Sequence, residues 1–455
     1  MTSVLKHILK RIKPSSHEER KLTGFIGDLL ETAARITKHE CMPCGSFGKN
    51  TWLSGDHDID LFVLFPTNAP RENLEKEGLN IGKKIVAKLK GRIQIKYAEH
   101  PYVRGFVKGY VIDIVPCYKI KKGEKIKSAV DRSPFHLEYV IQNLADDMAN
   151  EVRLLKQFCK GIGVYGSDTR NMGFSGYICE LLVIKYKSFS AVMQNAAKWQ
   201  APQVITVDKT QEKMADTKKF SQPLIIIDPT DTGRNAAANI SAENFVKFSQ
   251  KARKFLSLPA ESFFFPQPDK PLSASEQKLL ASRGTCFFAM IMKKPDIIDD
   301  TLYPQMRKAM NRIESMLKNN EFIILRKYEY TGKTMIFFFE LEIAALPHIK
   351  RMVGPSVFSR VHSNEFLSKY EKSKDTFRVF VENSNWIAEI KRRFISTTPL
   401  LQSLTKKSMN ELIEAGIPEN LVAYVKSAKI IDTGFWGFVR KNSHFSSFLR
   451  KKYYK

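Results

Sequence analysis

Apolar residues recur along this chain in two rhythms, one of three to four positions and one of two. The first buries a stripe of a helix, the second one face of a strand. Residues 18–38 carry the helical rhythm. A strand is predicted over 39–43, then a short segment over 45–55, then an almost wholly apolar strand over 59–65 that ends at Pro66 and Pro70. A helix over 73–89 and two β-rich runs, 92–98 and 110–115, complete this region, the second run stopping at Pro116. Strands and helices mixed in this order predict an α/β domain of ~140 residues.

The pattern turns helical over 137–160, with Val152, Leu155, Phe158 and Cys159 on one side, and again over 174–188. Residues 200–220 are polar and irregular, 223–227 read as a strand, and a helix starts at Ser241, a good N-cap, with Phe245, Phe248, Phe255 and Leu256 as its stripe. Beyond the proline-rich stretch 259–271 the order is strand 285–292, helix 301–317 (stripe Met306, Met310, Ile313, Leu317), strands 322–330 and 334–341, helix 364–372 and strand 377–381. That β-α-β-β-α-β order suits a ferredoxin-like module, a common RNA-binding shape. The remainder is helical and basic. Residues 391–455 hold 13 Lys/Arg against 4 Asp/Glu and nine aromatics, among them Phe435, Trp436 and Phe438. These aromatics either stack on an exposed nucleotide or form the segment's own core.

With 455 residues the chain has room for about three domains. Its charge changes the picture: 73 Lys plus Arg against 47 Asp plus Glu give +26, an excess that attracts polyanions, nucleic acid first among them. Six cysteines are too few for a disulfide scaffold. Cys41 and Cys44 form one C-x-x-C without a second pair at zinc spacing, so they are expected on a strand entering a core. No run reaches the ~18 apolar residues of a membrane helix, since the most apolar stretch, 335–347, holds Glu340 and Glu342. The basic residues 1–13 lack the apolar core of a secretion signal. No membrane partner and a cytoplasmic location are the expectation.

The chemistry centres on Gly45-Ser46 followed by Asp58-Ile59-Asp60. Residues two apart on a strand face one side, so Asp58 and Asp60 point together, opposite Ile59. Adjacent carboxylates raise one another's pKa unless a cation lies between them, and hard oxygen ligands suit Mg2+. Asp113 interrupts a second apolar strand, Tyr-Val-Ile-Asp-Ile-Val. If the two strands are neighbours, three carboxylates converge and can hold two Mg2+ roughly 3.5–4 Å apart for in-line phosphoryl transfer. The alternative for Asp113 is a buried acid bonded to backbone, Arg or Lys. Gly45 permits close backbone approach to a phosphate, and Ser46 begins a short helix or simply caps one. Gly161-Ile-Gly163-Val-Tyr-Gly166 matches G-x-G-x-x-G but follows a helix, so it reads as a helix stop and not as a dinucleotide site.

Gly45-Ser46-Phe-Gly-Lys49-Asn50-Thr51-Trp52-Leu53 with Asp58-Ile-Asp60 resembles the signature of the archaeal (class I) CCA-adding enzymes, the tRNA nucleotidyltransferases. Further segments resemble the family in order: Tyr97-Ala-Glu-His100-Pro-Tyr, Val111-Ile-Asp113-Ile-Val-Pro-Cys, Ala129-Val-Asp-Arg-Ser133-Pro-Phe-His136, Asn150-Glu-Val-Arg-Leu-Leu-Lys156, Tyr165-Gly, Gly173-Phe-Ser-Gly-Tyr, Asp228-Pro-Thr-Asp-Thr-Gly-Arg234-Asn, Lys294-Pro-Asp-Ile and Val353-Gly-Pro-Ser. The resemblance implies an α+β multidomain chain: a polymerase-beta-like nucleotidyltransferase head with a mixed sheet (1–140), a helical neck (141–258), a ferredoxin-like body (259–382) and a mainly helical, basic tail (383–455). It implies untemplated addition of C, C and A to tRNA from CTP and ATP, with tRNA gripped at the acceptor end and elbow. A homodimer stays open. By position, Asp58, Asp60 and Asp113 are the implied catalytic metal ligands. Ser46, Lys49, His136, Lys156 and Tyr165 are implied to bind the nucleotide, largely its triphosphate, with Ser133 near the sugar and Arg234 at the base edge. Two positions depart from the pattern: the family usually has Glu at Asp58, and Arg is frequent at Lys49. Poly(A) polymerases and oligoadenylate or cyclic-dinucleotide synthetases share the head and are the nearest rival reading. A non-catalytic RNA-binding relative is disfavoured because all three carboxylates are present.

Overall fold

A capping box starts the first long helix. The Ser15 side chain accepts from the Glu18 N–H, and the Glu18 carboxylate reaches back to the Ser15 N–H. The computed structural model describes residues 1–97, 99–121, 123–208 and 217–454. Two units divide the chain, Met1–Gln267 and Pro268–Lys455.

The first unit opens with α1 (Thr2–Ile12) and α2 (Ser16–Ile36), then β1 (Glu40–Cys44), the one-turn α3 (Gly45–Gly48), β2 (Asp58–Phe65), α4 (Arg71–Lys88), β3 (Arg92–Tyr97), β4 (Pro101–Val107) and β5 (Tyr110–Tyr118). Helix α1 and strand β4 go beyond the sequence reading. Pro101, Arg104 and Gly105 hide the alternation of β4. Position 98, the expected end of β3, lies outside the described residues. The sheet runs β1-β2-β5-β4-β3. Only β2 and β5 pair in parallel. Strand β5 does not stop at Pro116 as expected. Its ladder with β4 ends at Ile114, so the missing N–H of Pro116 costs no bond on that side. One face of the sheet packs Ile59, Leu61, Val63, Ile112 and Ile114 against α2 and α4.

The helical pattern over 137–160 is two helices, not one: α5 (Ser133–Asn143) and α6 (Met148–Gly161). They serve different cores, which forces the bend. Leu137 of α5 packs on the sheet with Cys44 and Phe62, whereas Val152, Leu155 and Phe158 of α6 enter a helical core. That core adds α7 (Gly176–Tyr186), α8 (Phe189–Ala196) and α9 (Ala242–Ser257), beside a small sheet of β6 (Gln203–Thr206), β7 (Leu224–Asp228) and β8 (Asp231–Asn235). Part of the expected irregular stretch, 209–216, lies outside the described residues. Ser241 caps α9 as expected, accepting from the Asn244 N–H.

The second unit holds α10 (Ala274–Ala281), β9 (Cys286–Lys293), α11 (Asp299–Asn319), β10 (Ile324–Thr331), β11 (Thr334–Leu341), β12 (Ile349–Ser356), α12 (Arg360–Tyr370), β13 (Thr376–Glu382), β14 (Asn385–Lys391), α13 (Thr397–Thr405), α14 (Met409–Glu414), α15 (Glu419–Lys426), β15 (Lys429–Ile431), α16 (Phe435–Lys441) and α17 (Ser443–Tyr454). The expected β-α-β-β start is present, and the sheet order β10-β11-β9-β15 is the ferredoxin-like one. Its closing strand is β15, drawn from the basic C-terminal segment. Residues 377–381 belong instead to a separate sheet, β12-β14-β13, against which α12 packs. Side chains alternate across β9 and β11. Phe288, Met290, Phe337 and Phe339 meet α11, α13 and α15 on one face, and Phe287, Ala289, Ile336 and Phe338 meet α16 and α17 on the other. Phe435 is buried and lies 5.6 Å from Phe287, and Trp436 lies 4.9 Å from it. These aromatics are core, not an open stacking surface.

Within the first unit one buried arginine ties α6 to the loop before β2. Arg153 donates to Trp52 O at 2.9 Å, to Asn50 O at 2.8 Å, and to the Asn50 and Asn150 side chains. Arg153→Met strips the partner from the buried Trp52 carbonyl and from the part-buried Asn50 carbonyl. It should lower stability by about 3 kcal/mol, read as a shifted urea midpoint with unchanged slope. A change under about 0.5 kcal/mol, the size of an ordinary surface substitution, would show that the loop holds without it.

Candidate nucleotidyl-transfer site

Parallel pairing puts Asp60 directly opposite Asp113, and antiparallel pairing puts Arg104 directly opposite Asp113 on the far side. Cys44 faces Asp60 from β1. Asp58 sits two residues before Asp60, so the three acids share the sheet face away from the Ile59–Ile112 core. Asp58 is exposed, and Asp60 and Asp113 are half-buried. Burial, then the nearby Asp113 and Asp58 charges, raise the Asp60 carboxyl to about 6. Burial also raises Asp58, against the pull of Arg104.

Asp113 has a second partner. Arg104 grips it with a fork, Nε to Oδ1 at 2.7 Å and Nη2 to Oδ2 at 2.6 Å. Asp113 thus stands in register with Asp60 and is bonded to an arginine, the second of the two readings open for it in the sequence. Among the described residues, no three His, Cys, Asp or Glu side chains are grouped so as to hold a metal ion. The donor set nevertheless fits a hard cation, with carboxylate oxygens on one face. The backbone approach to it is close. Gly45 has φ +65°, and a Cβ there would lie 2.0 Å from Asp60 Oδ2.

Beside the acids lies a pocket of ≈ 230 Å3 lined by Gly45, Lys49, Asp60, Phe62, Ser133, His136 and Tyr177. Four candidate residues from the sequence meet here: Lys49, Asp60, Ser133 and His136. Ser46 sits next to Gly45 on α3. Lys156, Tyr165 and Arg234 do not line the pocket. Lys156 lies behind it, fully buried, and donates to Thr51 O at 3.1 Å, Thr51 Oγ1 at 2.8 Å and Glu180 Oε1 at 3.1 Å. An ammonium has three donors, so all of them are engaged. Tyr165 is half-buried under the Lys160 ammonium. Arg234 connects through Asp228, which also binds His136.

Two residues that sequence reasoning left without a role organise this region. Glu180, fully buried on α7, takes Lys49 on Oε2 at 2.8 Å and Thr51 and Lys156 on Oε1. Against the cost of burial, the two ammonium groups hold its carboxyl down at about 2. Asp228, also fully buried, is held well below the usual carboxylate range, against burial, by His136, the Thr230 N–H and Arg234. We take Asp228 as ionised and His136 as the neutral imidazole, which burial pushes downward. The signal for Glu180 was present in the sequence, an acid inside the apolar run Ile-Cys-Glu-Leu-Leu-Val-Ile.

Three family models match the chain in order. Residues 30–136 match a nucleotidyltransferase domain, 150–265 the tRNA nucleotidyltransferase second domain and 283–421 the CCA-adding enzyme C-terminal domain. The CCA-adding enzyme of Methanosarcina acetivorans is 34% identical over 95% of this chain and 96% of its own length. That of Methanoregula boonei is 37% identical over 86% and 84%, and that of Archaeoglobus fulgidus 40% identical over 87% of each. A solved cytoplasmic RNA terminal U-transferase is a distant likeness, at 15% identity and TM-score 0.45 over 58% of this chain and 97% of that one.

Glu180 supplies a pH test. Its folded pKa is depressed, so its stabilisation is complete above the unfolded pKa of about 4.5 and is lost as pH falls through about 2. The gap in unfolding free energy between wild type and Glu180→Gln should therefore narrow on acidification below about pH 5, by up to roughly 3 kcal/mol. Urea unfolding at stepped pH measures it, and a constant gap would show that Glu180 is not held ionised.

Proposed function

The chain belongs to the CCA-adding enzyme family and adds the CCA end of tRNA by nucleotidyl transfer, and we propose that it does so at the Asp58–Asp60–Asp113 face with CTP and ATP bound beside it. The observation that carries this assignment of the site is the in-register pair Asp60 and Asp113 next to a pocket holding Lys49 and His136. Nucleotidyltransferases of this kind use divalent metal ions. Here Asp58, Asp60 and Asp113 would hold them, and we take the ion to be Mg2+. When bound, the metal supplies Lewis acidity at the reacting phosphate and acidifies the attacking hydroxyl.

The RNA 3′-hydroxyl attacks the α-phosphorus, the bond to the bridging oxygen breaks, and pyrophosphate leaves. Asp113 is the acid nearest the attacking hydroxyl, and Arg104 fixes its plane. Lys49, Ser46 and His136 meet the triphosphate, and Ser133 meets the sugar. Lys49 is a point charge where a fork is frequent in the family, so it neutralises without fixing orientation. Lys156 acts through Thr51 and Glu180 in the arrangement described, and Tyr165 flanks it. Arg234 reads the base edge: cytosine and adenine present acceptors where uracil and guanine present a donor. Head and neck, 1–140 and 141–258, fall in the first unit. The proposed body, 259–382, begins in the first unit and continues into the second, which also holds the proposed tail, 383–455; there β15 completes the β9–β11 sheet. No described helix is long and apolar enough to cross a membrane; we assign the enzyme to the cytoplasm.

Extension of a tRNA lacking its CCA end, with CTP alone, ATP alone and both, tests the function. CTP alone should add two residues and the mixture three. An oligoadenylate ladder from ATP would favour the polymerase rival. Asp60→Ala and Asp113→Ala should each abolish incorporation in folded protein, and EDTA should do the same until Mg2+ is restored. Near-normal activity in either variant would overturn the site.

The basic C-terminal segment grips the tRNA elbow by phosphate charge in this reading, since its aromatics are core. Lys406, Lys429 and Lys441 are exposed. Changing all three to Ala should weaken tRNA binding but not CTP binding. It should also flatten the slope of log affinity against log salt by about one unit for each phosphate no longer neutralised. An unchanged slope in filter binding would move the RNA grip elsewhere.

A further inference from the structure

One buried carboxylate collects donors from three separate elements of the first unit. Asp228 closes β7. Its Oδ2 accepts from His136 Nε2 of α5 at 3.0 Å and from Arg234 Nη1 of β8 at 2.5 Å. Its Oδ1 accepts from the Tyr177 hydroxyl of α7 at 3.0 Å, and from the Thr230 N–H and hydroxyl at 3.0 and 2.8 Å. Both oxygens are engaged, so the acid is spent on holding its neighbours. Two of those neighbours face the nucleotide pocket: His136 and Tyr177 stack with centroids 3.9 Å apart and rings 17° from parallel, and both line it.

The third neighbour is held differently. A guanidinium carries five N–H donors in a rigid fork. Arg234 places one corner of that fork on Asp228 and remains 37% exposed. A partly exposed arginine would otherwise spread over many rotamers, and ordering it would fall to the incoming base. Anchored at one corner, the fork is already ordered. Thr230 orders the anchor in turn, through two bonds from the turn between β7 and β8.

We propose that Asp228 is a positioning residue for nucleotide selection, fixing the Arg234 fork and the His136 ring in one mutual arrangement. The inference rests on the reading that Arg234 meets the base edge. Asp228 is fully buried and does not line the pocket, so it acts through its neighbours. Replacing its charge leaves Arg234 cationic but unaligned, so the defect falls on selectivity more than on affinity for a triphosphate. A structural role alone would lower every rate alike.

Single-turnover incorporation of CMP against UMP on tRNA lacking its CCA end reads this out, using Asp228→Asn, Arg234→Ala and the double variant of the full chain. Asp228→Asn should cut CMP-over-UMP discrimination by about tenfold, the effect of one charge-assisted bond, and the double variant should be no worse than Arg234→Ala. If Asp228→Asn discriminates like wild type while Arg234→Ala does not, the proposal is overturned and the reading of Arg234 stands. If neither variant changes discrimination, the reading of Arg234 fails and the proposal with it. Thermal melting checks the fold. Should Asp228→Asn not fold, Tyr177→Phe with Thr230→Val strips two hydroxyl donors from Oδ1 and keeps the charge. That variant should lose discrimination at least about threefold, of the order expected for neutral hydrogen bonds; full discrimination in it overturns the proposal.

Discussion

Asp60 and Asp113 stand side by side on adjacent parallel strands, and like charges so placed repel. The register that forces them together is held from the other face of the sheet. Ile59, Leu61, Ile112 and Ile114 alternate with the acids and are all but fully buried. A slip of one residue would turn Asp113 into that core and an isoleucine out of it. Burial of several large aliphatic side chains, each worth about 1.5–3 kcal/mol, outweighs the repulsion of two partly solvated carboxylates. The apolar core therefore keeps the acids facing one another, and Gly45 keeps β1 close enough to confine them.

The cations of the site are set by the reverse arrangement. Lys49 and Lys156 converge on buried Glu180, and Arg234 converges with His136 on buried Asp228. A buried ion pair is weak evidence of stability, because desolvation offsets attraction. What these pairs provide is direction. Glu180 sits inside the apolar helix α7, and Asp228 ends the apolar strand β7; both are fully buried. The side chains bound to each acid inherit its position.

Acids were the legible part of this sequence. Asp58, Asp60 and Asp113 interrupt apolar strands, and alternation alone puts the first two on one face. Glu180 interrupts an apolar helix in the same way but has no second acid two positions away to mark it. Arg104 and β4 were hidden because Pro101 and Gly105 blur the alternation. The break between α5 and α6 follows from two cores that no local pattern describes. A nucleotide-binding role for Lys156 is implied by family resemblance alone, and the geometry puts it behind the pocket: its donors are engaged by Thr51 and Glu180, partners 105 and 24 residues away in sequence. Strand β15 is three residues long, below the length at which alternation is a signal.

The second unit explains why the basic segment reads as it does. Strands β9 and β11 are apolar on both faces, so both faces need cover. An RNA-binding sheet of this order commonly offers one face with aromatics for stacking. Here α16 and α17 occupy that face with Phe435, Phe445 and Leu449. Stacking on it is closed to RNA, and the charge that the segment's described residues leave at the surface is positive, with nine exposed Lys and Arg against three exposed Glu. Phosphate attraction is indifferent to base sequence. That suits an enzyme whose substrates share an end and a shape but differ in sequence. In the reading we propose, base choice falls to the first unit, where the Arg234 fork tethered at Asp228 tells an acceptor from a donor.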